Sequence, residues 1–474
     1  MSRQEPAARL PSHPRDDHPP GPAVTRPGPR LSRRRLAGRA LGAGVGVVSA
    51  ACAPSAGGGP PGGPSEPEPA TVRLRLYTGS PARAQALEQA TVEWKKEQPR
   101  LTLELEITEG AGPHTQALMA QLAGGTPPDA AVSDDVDGTI DLALDGVLLP
   151  LDDQMKAARV SRDEFAAGAI EYANLRGKQY GLPSNGYTTL LFYNRDLFQR
   201  SNHPLPPADG SWKWNDLQEA ALKLTRRDPT DPQHSQWGLL PSFQLRYDIP
   251  SVIWQNGGTM TDTREAPART TIHQPQAAEA LQWLVDLRQR HQVMPSPQER
   301  QALGGDPFVL GKVAMFWGAA FLFFTTMSQV RDFAWDVAPG PRGPSGTQAA
   351  GTGVTNYVVF KATRQPAAAF KAIHFFTAGT GQRLVVEISN FVPAHKRMLQ
   401  DVWARSSPAV NRQAAIDSYA YTKHPYKGAL FSKWNTAVTN ALNPAWNGEV
   451  AVRPAAEEAS RQGDEVLKEA AAKW

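Results

Sequence analysis

Two adjacent carboxylates, Asp134 and Asp135, follow the short apolar run Ala130-Ala131-Val132. Ionised, they can accept hydrogen bonds from a hydroxyl-rich ligand, help to hold a cation, or cap the helix that the apolar residues Ile140, Leu142 and Leu144 predict. As a hydrolytic pair they are poorly placed, because chain neighbours seldom face one substrate across the roughly 5–9 Å that two-carboxylate glycoside hydrolysis needs. Metal binding has little support: no histidine stands near, hard cations call for more oxygen ligands, and His273, His291, His374 and His395 show no ligand spacing. The chain carries no G-x-S-x-G elbow, no H-E-x-x-H helix and no G-x-x-x-x-G-K-[ST] phosphate loop. No catalytic residue, cofactor or metal is therefore expected.

The other candidates are groups that recognise. Twelve Trp and ten Tyr offer flat faces, and a carbohydrate, with hydroxyls on its edges and CH patches on its faces, needs planar hydrogen-bonding groups beside exposed aromatics. Tyr180 to Leu217 concentrates such groups: a turn from Gly181 to Gly186, a β-prone run from Tyr187 to Tyr193, a helix start at Asn194 to Asp196, a Pro-rich loop and a second helix near Trp214. A strand that starts with polar and aromatic residues and leaves one folded unit for another can serve as a ligand-gripping hinge.

The elements that must position these residues follow from periodicity. Val72 to Tyr77 and Leu101 to Ile107 alternate as strands; Pro81 to Glu97 and His114 to Leu122 have helical spacing, and Ala130 to Val132 reads as a buried strand. This β-α-β-α-β order favours a parallel sheet covered by helices, with ligands beyond the carboxyl ends of the strands. Two places satisfy that rule, the Thr78-Gly79-Ser80 turn and Ser133-Asp134-Asp135. Further on, helices are expected over Asp216–Thr225, Ile249–Gln255, Pro275–Arg290, Pro366–Thr377, Gly381–Ile388, Leu430–Leu442 and Ala455–Ala472. Strands are expected at Trp237–Leu240 and Val313–Trp317, with Gly318-Ala319-Ala320 as the loop beyond. Trp94, Trp283 and Trp434 fall on apolar helix faces and read as packing.

With 474 residues and 41% apolar content, the chain can bury a large core and form two or more domains. Its formal charge is +4, but residues 1–52 hold nine Arg against Glu5, Asp16 and Asp17, a net +6, so the rest carries −2. The folded part thus gives no electrostatic reason to expect nucleic acid. Ser32-Arg33-Arg34-Arg35-Leu36 precedes about a dozen small and apolar residues, too few to span a bilayer, and then Cys52, the sole cysteine. The paired arginines resemble a twin-arginine export signal, and Ser49-Ala50-Ala51-Cys52 resembles a lipobox, with Ser49 departing from the usual larger apolar residue. Residues 1–52 are thus expected to be an export signal, Cys52 a lipidation site, and residues 53–70 a Gly/Pro-rich mobile tether.

A set of short motifs occurs in one order: Pro128-Asp129, Asp145 to Asp152 (DGVLLPLD), Tyr180-Gly181-Leu182-Pro183, Phe192 to Phe198 (FYNRDLF), Trp214-Asn215-Asp216-Leu217, Gln255 to Gly258, Phe308 to Met315 and Ala367 to Phe376. Together, over roughly residues 71 to 465, they resemble the family 1 extracellular solute-binding proteins of ABC importers, the maltose-binding-protein-like group. Lys213 departs from the Thr or Ser common before the Trp. The resemblance implies an α/β, two-lobed Venus-flytrap fold of the periplasmic-binding-protein type II class, with discontinuous lobes and crossing hinge strands. Lobe 1 would comprise 71–185 and 358–390, lobe 2 190–352 and 395–474, and the crossings 185–189, 351–357 and 391–394. Ligand contacts would come from Ser80, Asp134, Asp135, Asn185, Tyr187, Tyr247, Trp254, Trp317, Phe321 and Gly353. Trp254, inside an apolar helix, reads more readily as core than as a ligand platform. The implied function is a non-enzymatic, monomeric, membrane-anchored lipoprotein, exported to the cell surface or periplasm, that captures a sugar or oligosaccharide by closure and delivers it to ABC permease subunits. A non-sugar solute such as a polyol phosphate or polyamine, and a secreted glycoside hydrolase, are the alternatives.

Overall fold

Alternation sets the first strands, β1 (Ala70–Tyr77) and β2 (Leu101–Thr108), in the computed structural model, which describes residues 69–134, 138–407 and 409–474. Val72, Leu74 and Leu76 turn inward and are fully buried, while the Arg residues between them reach Glu106 of β2, Arg73 at 2.5 Å and Arg75 at 2.7 Å. Helix Pro81–Glu97 begins with Pro at its first turn and returns the chain to β2, laying Ala86, Leu87, Ala90 and Trp94 against the sheet. β3 (Ala130–Asp134) joins β1 in parallel, Leu74 opposite Ala130. The expected parallel β-α-β-α-β start is therefore present.

Two long strands carry the chain out of this unit and back. β4 (Gly181–Asn194) is 14 residues long and buried throughout. Downstream lie β5 (Trp237–Pro241), β6 (Val313–Ala319), β7 (Trp335–Pro339) and β8 (Ala350–Val359). The sheet runs β2-β1-β3-β8-β4-β6-β5, with β7 also on β4 and Thr422–Lys423 on β8. The amino half of β4 pairs antiparallel with β8, Tyr187 opposite Gly353; its carboxyl half pairs with β6 and β7, Leu191 opposite Trp317 and Ala338. β4 and β8 are thus the crossing strands of a two-lobed α/β fold. The alternation in β4 serves two cores: Leu190 and Phe192 face the cluster that includes Trp94 and Phe316, and Leu191 and Tyr193 face the one that includes Trp317 and Trp434.

A third segment, without regular secondary structure, passes Phe391 and Val392, both buried, and the Ala394 amide donates to the Ser184 carbonyl at 3.0 Å. Local details differ from expectation. β6 continues through Gly318 to Ala319 because both stay paired with β4, Gly318 opposite Leu190 and Ala319 opposite Thr189, and Leu322 packs where a side chain at Gly318 would stand. The helix from Lys213 is capped without Ser or Thr: the Asp216 carboxylate accepts the Lys213 amide at 2.8 Å. The closing helices, Phe431–Asn447 and Val452–Ala471, pack against each other and extend beyond the spans that periodicity suggested. Among the described residues no helix is long and apolar enough to cross a membrane. Cys52, the preceding leader and Asp135 lie outside the described residues.

Candidate functional site

Where the crossings meet the carboxyl ends of β1 and β3, aromatic rings from distant parts of the chain converge. Tyr187, 8% exposed on β4, is the centre. Phe321 stands edge-on to it with centroids 5.7 Å apart, Phe324 lies at 6.2 Å, and Phe391 lies at 6.4 Å. Tyr247, on the residue before helix Asp248–Gln255, meets Phe321 from the other side at 5.8 Å. Phe321, partly exposed, lies in the short 3₁₀ turn Ala320–Phe323 just after β6. Burial raises the Tyr187 hydroxyl well above the ordinary phenol value, so it stays neutral and able to donate.

On the first-lobe side the chemistry is polar. Tyr77, at the end of β1, donates to Asp134 Oδ2 at 3.0 Å at the end of β3. Arg83 is 2% exposed, its guanidinium carbon 5.0 Å from the Tyr77 ring and 4.8 Å from the Phe391 ring. Burial by itself would favour losing its proton, but Tyr357, Tyr77, Tyr187 and Asp134 outweigh that and hold its pKa above the usual arginine value. The cluster thus brings aromatic rings, hydroxyls, one carboxylate and a cation together at the crossing, with Phe321 the partly exposed ring.

The anticipated residues divide by role. Tyr187, Tyr247, Phe321 and Asp134 come together, and Gly353 lies opposite Tyr187 in the sheet. Ser80 is a helix cap, its hydroxyl accepting from the Arg83 amide at 3.3 Å. Asn185 is fully buried: it donates to the Tyr187 hydroxyl and accepts the Thr355 amide at 3.0 Å, where the β4–β8 register shifts. It is thus a strut that aims Tyr187 from below. Trp317 is a correction, being 0% exposed and set edge-on to Trp283 inside the second core. The expectation failed because β6 does not open into a loop at Gly318. Trp254 is half-buried, away from the floor, at the far end of its helix. Trp94, Trp283 and Trp434 pack as expected.

Sequence reading missed Tyr77, Arg83, Phe324, Tyr357 and Phe391. One signal was available for Arg83: a cation in the first turn of a helix opposes the helix dipole and calls for another reason to be there. Asp248, buried in the helix behind Tyr247, is raised by burial to about 6 and accepts from Ser242 and the Phe243 and Gln244 amides, which locks the turn carrying Tyr247. Among the described residues, no group of three or more His, Cys, Asp and Glu side chains is placed to hold a metal.

Comparison with known proteins places this geometry in context. The bacterial extracellular solute-binding protein profile matches residues 78–383. A Brucella abortus (strain 2308) protein, named as a binding protein without a stated ligand, is 26% identical over 336 residues, covering 69% of this chain and 76% of its own. The arabinooligosaccharide-binding protein of Bacillus subtilis (strain 168) is 23% identical over 233 residues, covering 48% of this chain and 49% of its own. Among solved structures, an ABC substrate-binding protein of Listeria monocytogenes in complex with cycloalternan superposes with a TM-score of 0.73 at 24% identity, covering 85% of this chain and 100% of that one. Maltose-bound MalE3 of T. maritima has a TM-score of 0.68 at 18% identity, covering 84% and 100%.

Proposed function

The chain belongs to the bacterial extracellular solute-binding protein family, and from that premise we propose that it captures a sugar or oligosaccharide between its lobes and hands it to an ABC permease. The observation that carries this reading is the aromatic floor of Tyr187, Tyr247 and Phe321 at the crossing strands, ringed by hydroxyls, Asp134 and Arg83. Stacking on CH faces and hydrogen bonding to ring edges are the two interactions a carbohydrate offers. Relatives whose names or complexes specify arabinooligosaccharide, cycloalternan and maltose support the same class.

In this reading 71–185 with 358–390 forms one lobe and 190–352 with 395–474 the other. Both walls contact the sugar only in the closed state, so ligand binding selects closure. Cys52 carries a lipid anchor, residues 53–70 hold the binding unit off the membrane, and the exported protein works as a monomer that binds without cleaving. Titration of the purified protein with mono- and oligosaccharides is expected to change tryptophan fluorescence and raise the melting temperature for at least one sugar class, with no release of reducing ends. No response to any sugar, or steady hydrolysis, overturns the proposal.

A further inference from the structure

Helices usually open on Ser, Thr, Asp or Asn, whose side-chain oxygen accepts an amide of the first turn, but the helix at 396–403 opens on a histidine. The His395 carbonyl accepts the Leu399 amide at 2.9 Å, and its ring Nδ1 accepts the Met398 amide at 3.4 Å. An amide only donates, so the ring hydrogen stands on Nε2, which faces Glu164 Oε2 at 3.4 Å. Glu164 is fixed in turn by the Ser161 amide at 2.6 Å, and Phe165 lies edge-on to the imidazole at 5.4 Å. His395 is 7% exposed. Glu164, His374, Arg383, Lys396, Arg397 and Asp401 wall with it a cavity of about 880 Å³, ample for the water that delivers a proton.

A neutral imidazole can cap a helix in this way and an imidazolium cannot. Protonation sets a hydrogen on Nδ1 against the Met398 N–H, removes that acceptor, and adds a third positive charge to a first turn that already carries Lys396 and Arg397. Burial holds the ring below the ordinary imidazole value against the pull of Glu164, and Arg397 adds to it; His374 is lowered by burial too. The neutral cap therefore stabilises the fold above about pH 6.5 and is lost as pH falls through the lower folded value. What the cap holds lies behind the aromatic floor. Ala394, the residue before it, gives its amide to Ser184 of β4 and accepts the Ala166 amide at 2.8 Å, which seats Phe391 against Tyr187. The helix beyond brings the fully buried Trp403 edge-on to Phe323 at 5.0 Å, in the turn that carries Phe321. We propose that His395 is a proton-operated catch: neutral, it caps this helix and keeps Phe391 and Trp403 in place, and on proton uptake in mild acid it releases both, so that ligand is held less tightly. The release stands on the histidine's own surroundings, and its effect on affinity rests on the carbohydrate reading above.

The test is hydrogen–deuterium exchange of the full, ligand-free chain between about pH 8 and about pH 5, corrected for intrinsic rates, with titrations of mono- and oligosaccharides at both ends. Protection of 391–403 is expected to fall roughly threefold or more in acid while that of β1 and β3 holds, and sugar affinity to fall with it. His395→Asn keeps an acceptor for the Met398 amide and does not titrate, so its protection and affinity are expected to stay level across the range. His374→Asn is expected to respond as wild type does. Glu164→Gln, which removes the charge that favours the imidazolium and leaves the cap untouched, is expected to move the loss of protection to lower pH. No acid response in wild type, an equal response in His395→Asn, or an unshifted one in Glu164→Gln overturns the catch. Sugar binding that is absent throughout overturns the carbohydrate reading, and the exchange of 391–403 then decides the catch by itself.

Discussion

Trp317 and Phe321 stand four residues apart, both at the end of an apolar strand, and do opposite work. Trp317 sits at 0% exposure against Trp283, whereas Phe321 turns toward Tyr187 and Tyr247. Trp317→Ala is therefore expected to cost about 3–5 kcal/mol of folding stability by urea denaturation while the folded fraction keeps its sugar affinity. Phe321→Ala, losing a half-exposed ring, is expected to cost less stability but to weaken sugar binding roughly tenfold or more, equivalent to about 1.4 kcal/mol. The reverse pattern would make Trp317 the stacking residue. Residue type alone could not separate the two, since a large aromatic after a buried strand suits either role.

The elements that bring the floor together are held by close backbone approaches. Gly351 on β8 passes so near helix Asp248–Gln255 that a Cβ there would stand 2.3 Å from the Arg246 carbonyl oxygen and 2.4 Å from that of Tyr247. Its amide donates to Ser251 Oγ at 2.8 Å, and its carbonyl accepts from the Thr189 hydroxyl of β4 at 3.0 Å. Gly351→Ala is expected to push the helix and Tyr247 off the crossing strand, lowering stability by about 1–3 kcal/mol in thermal melts and weakening sugar binding with it. Unchanged melting and affinity would show that the strand can slide to make room. The 351–357 stretch was legible only as a crossing that the family resemblance implies. That Gly351 is needed for contact with a helix about 100 residues earlier was not legible, because steric crowding across the fold leaves no local pattern.

Across the whole molecule, the last segment leans on the first lobe. Asp141, in helix Thr139–Leu144, accepts the Leu430 amide at 3.0 Å and the Lys473 ammonium at 3.3 Å, and Lys473 also reaches Asp145 at 3.1 Å. Tyr172 packs on His424 with centroids 4.5 Å apart. In the proposed closure these contacts would join the two lobes, the partly exposed ion pair contributing only about 0–1 kcal/mol. Asp141→Ala is expected to open the ligand-free protein, seen as a larger radius of gyration in small-angle scattering, and to weaken sugar affinity by about fivefold or less. An unchanged radius and affinity would mean that the contacts do not differ between open and closed forms.

What the chain determined by itself is what depends on neighbours in sequence. Strand alternation and helix spacing placed β1 to β3 and the later half of β4, whose first residues, Gly181 to Gly186, read as a turn but continue the same strand, and the motif order marked the two-lobed family. The net positive charge is likewise confined to residues 1–52. Tertiary structure decided which faces are covered. Trp317 became core because Trp283 and an extended β6 enclosed it, Asn185 became a strut because β8 offered an unpaired amide, and Arg83 gained its seat because Tyr77 and Phe391 closed on it from opposite ends of the chain. Burial is a property of partners, and these partners meet only after the crossings have formed.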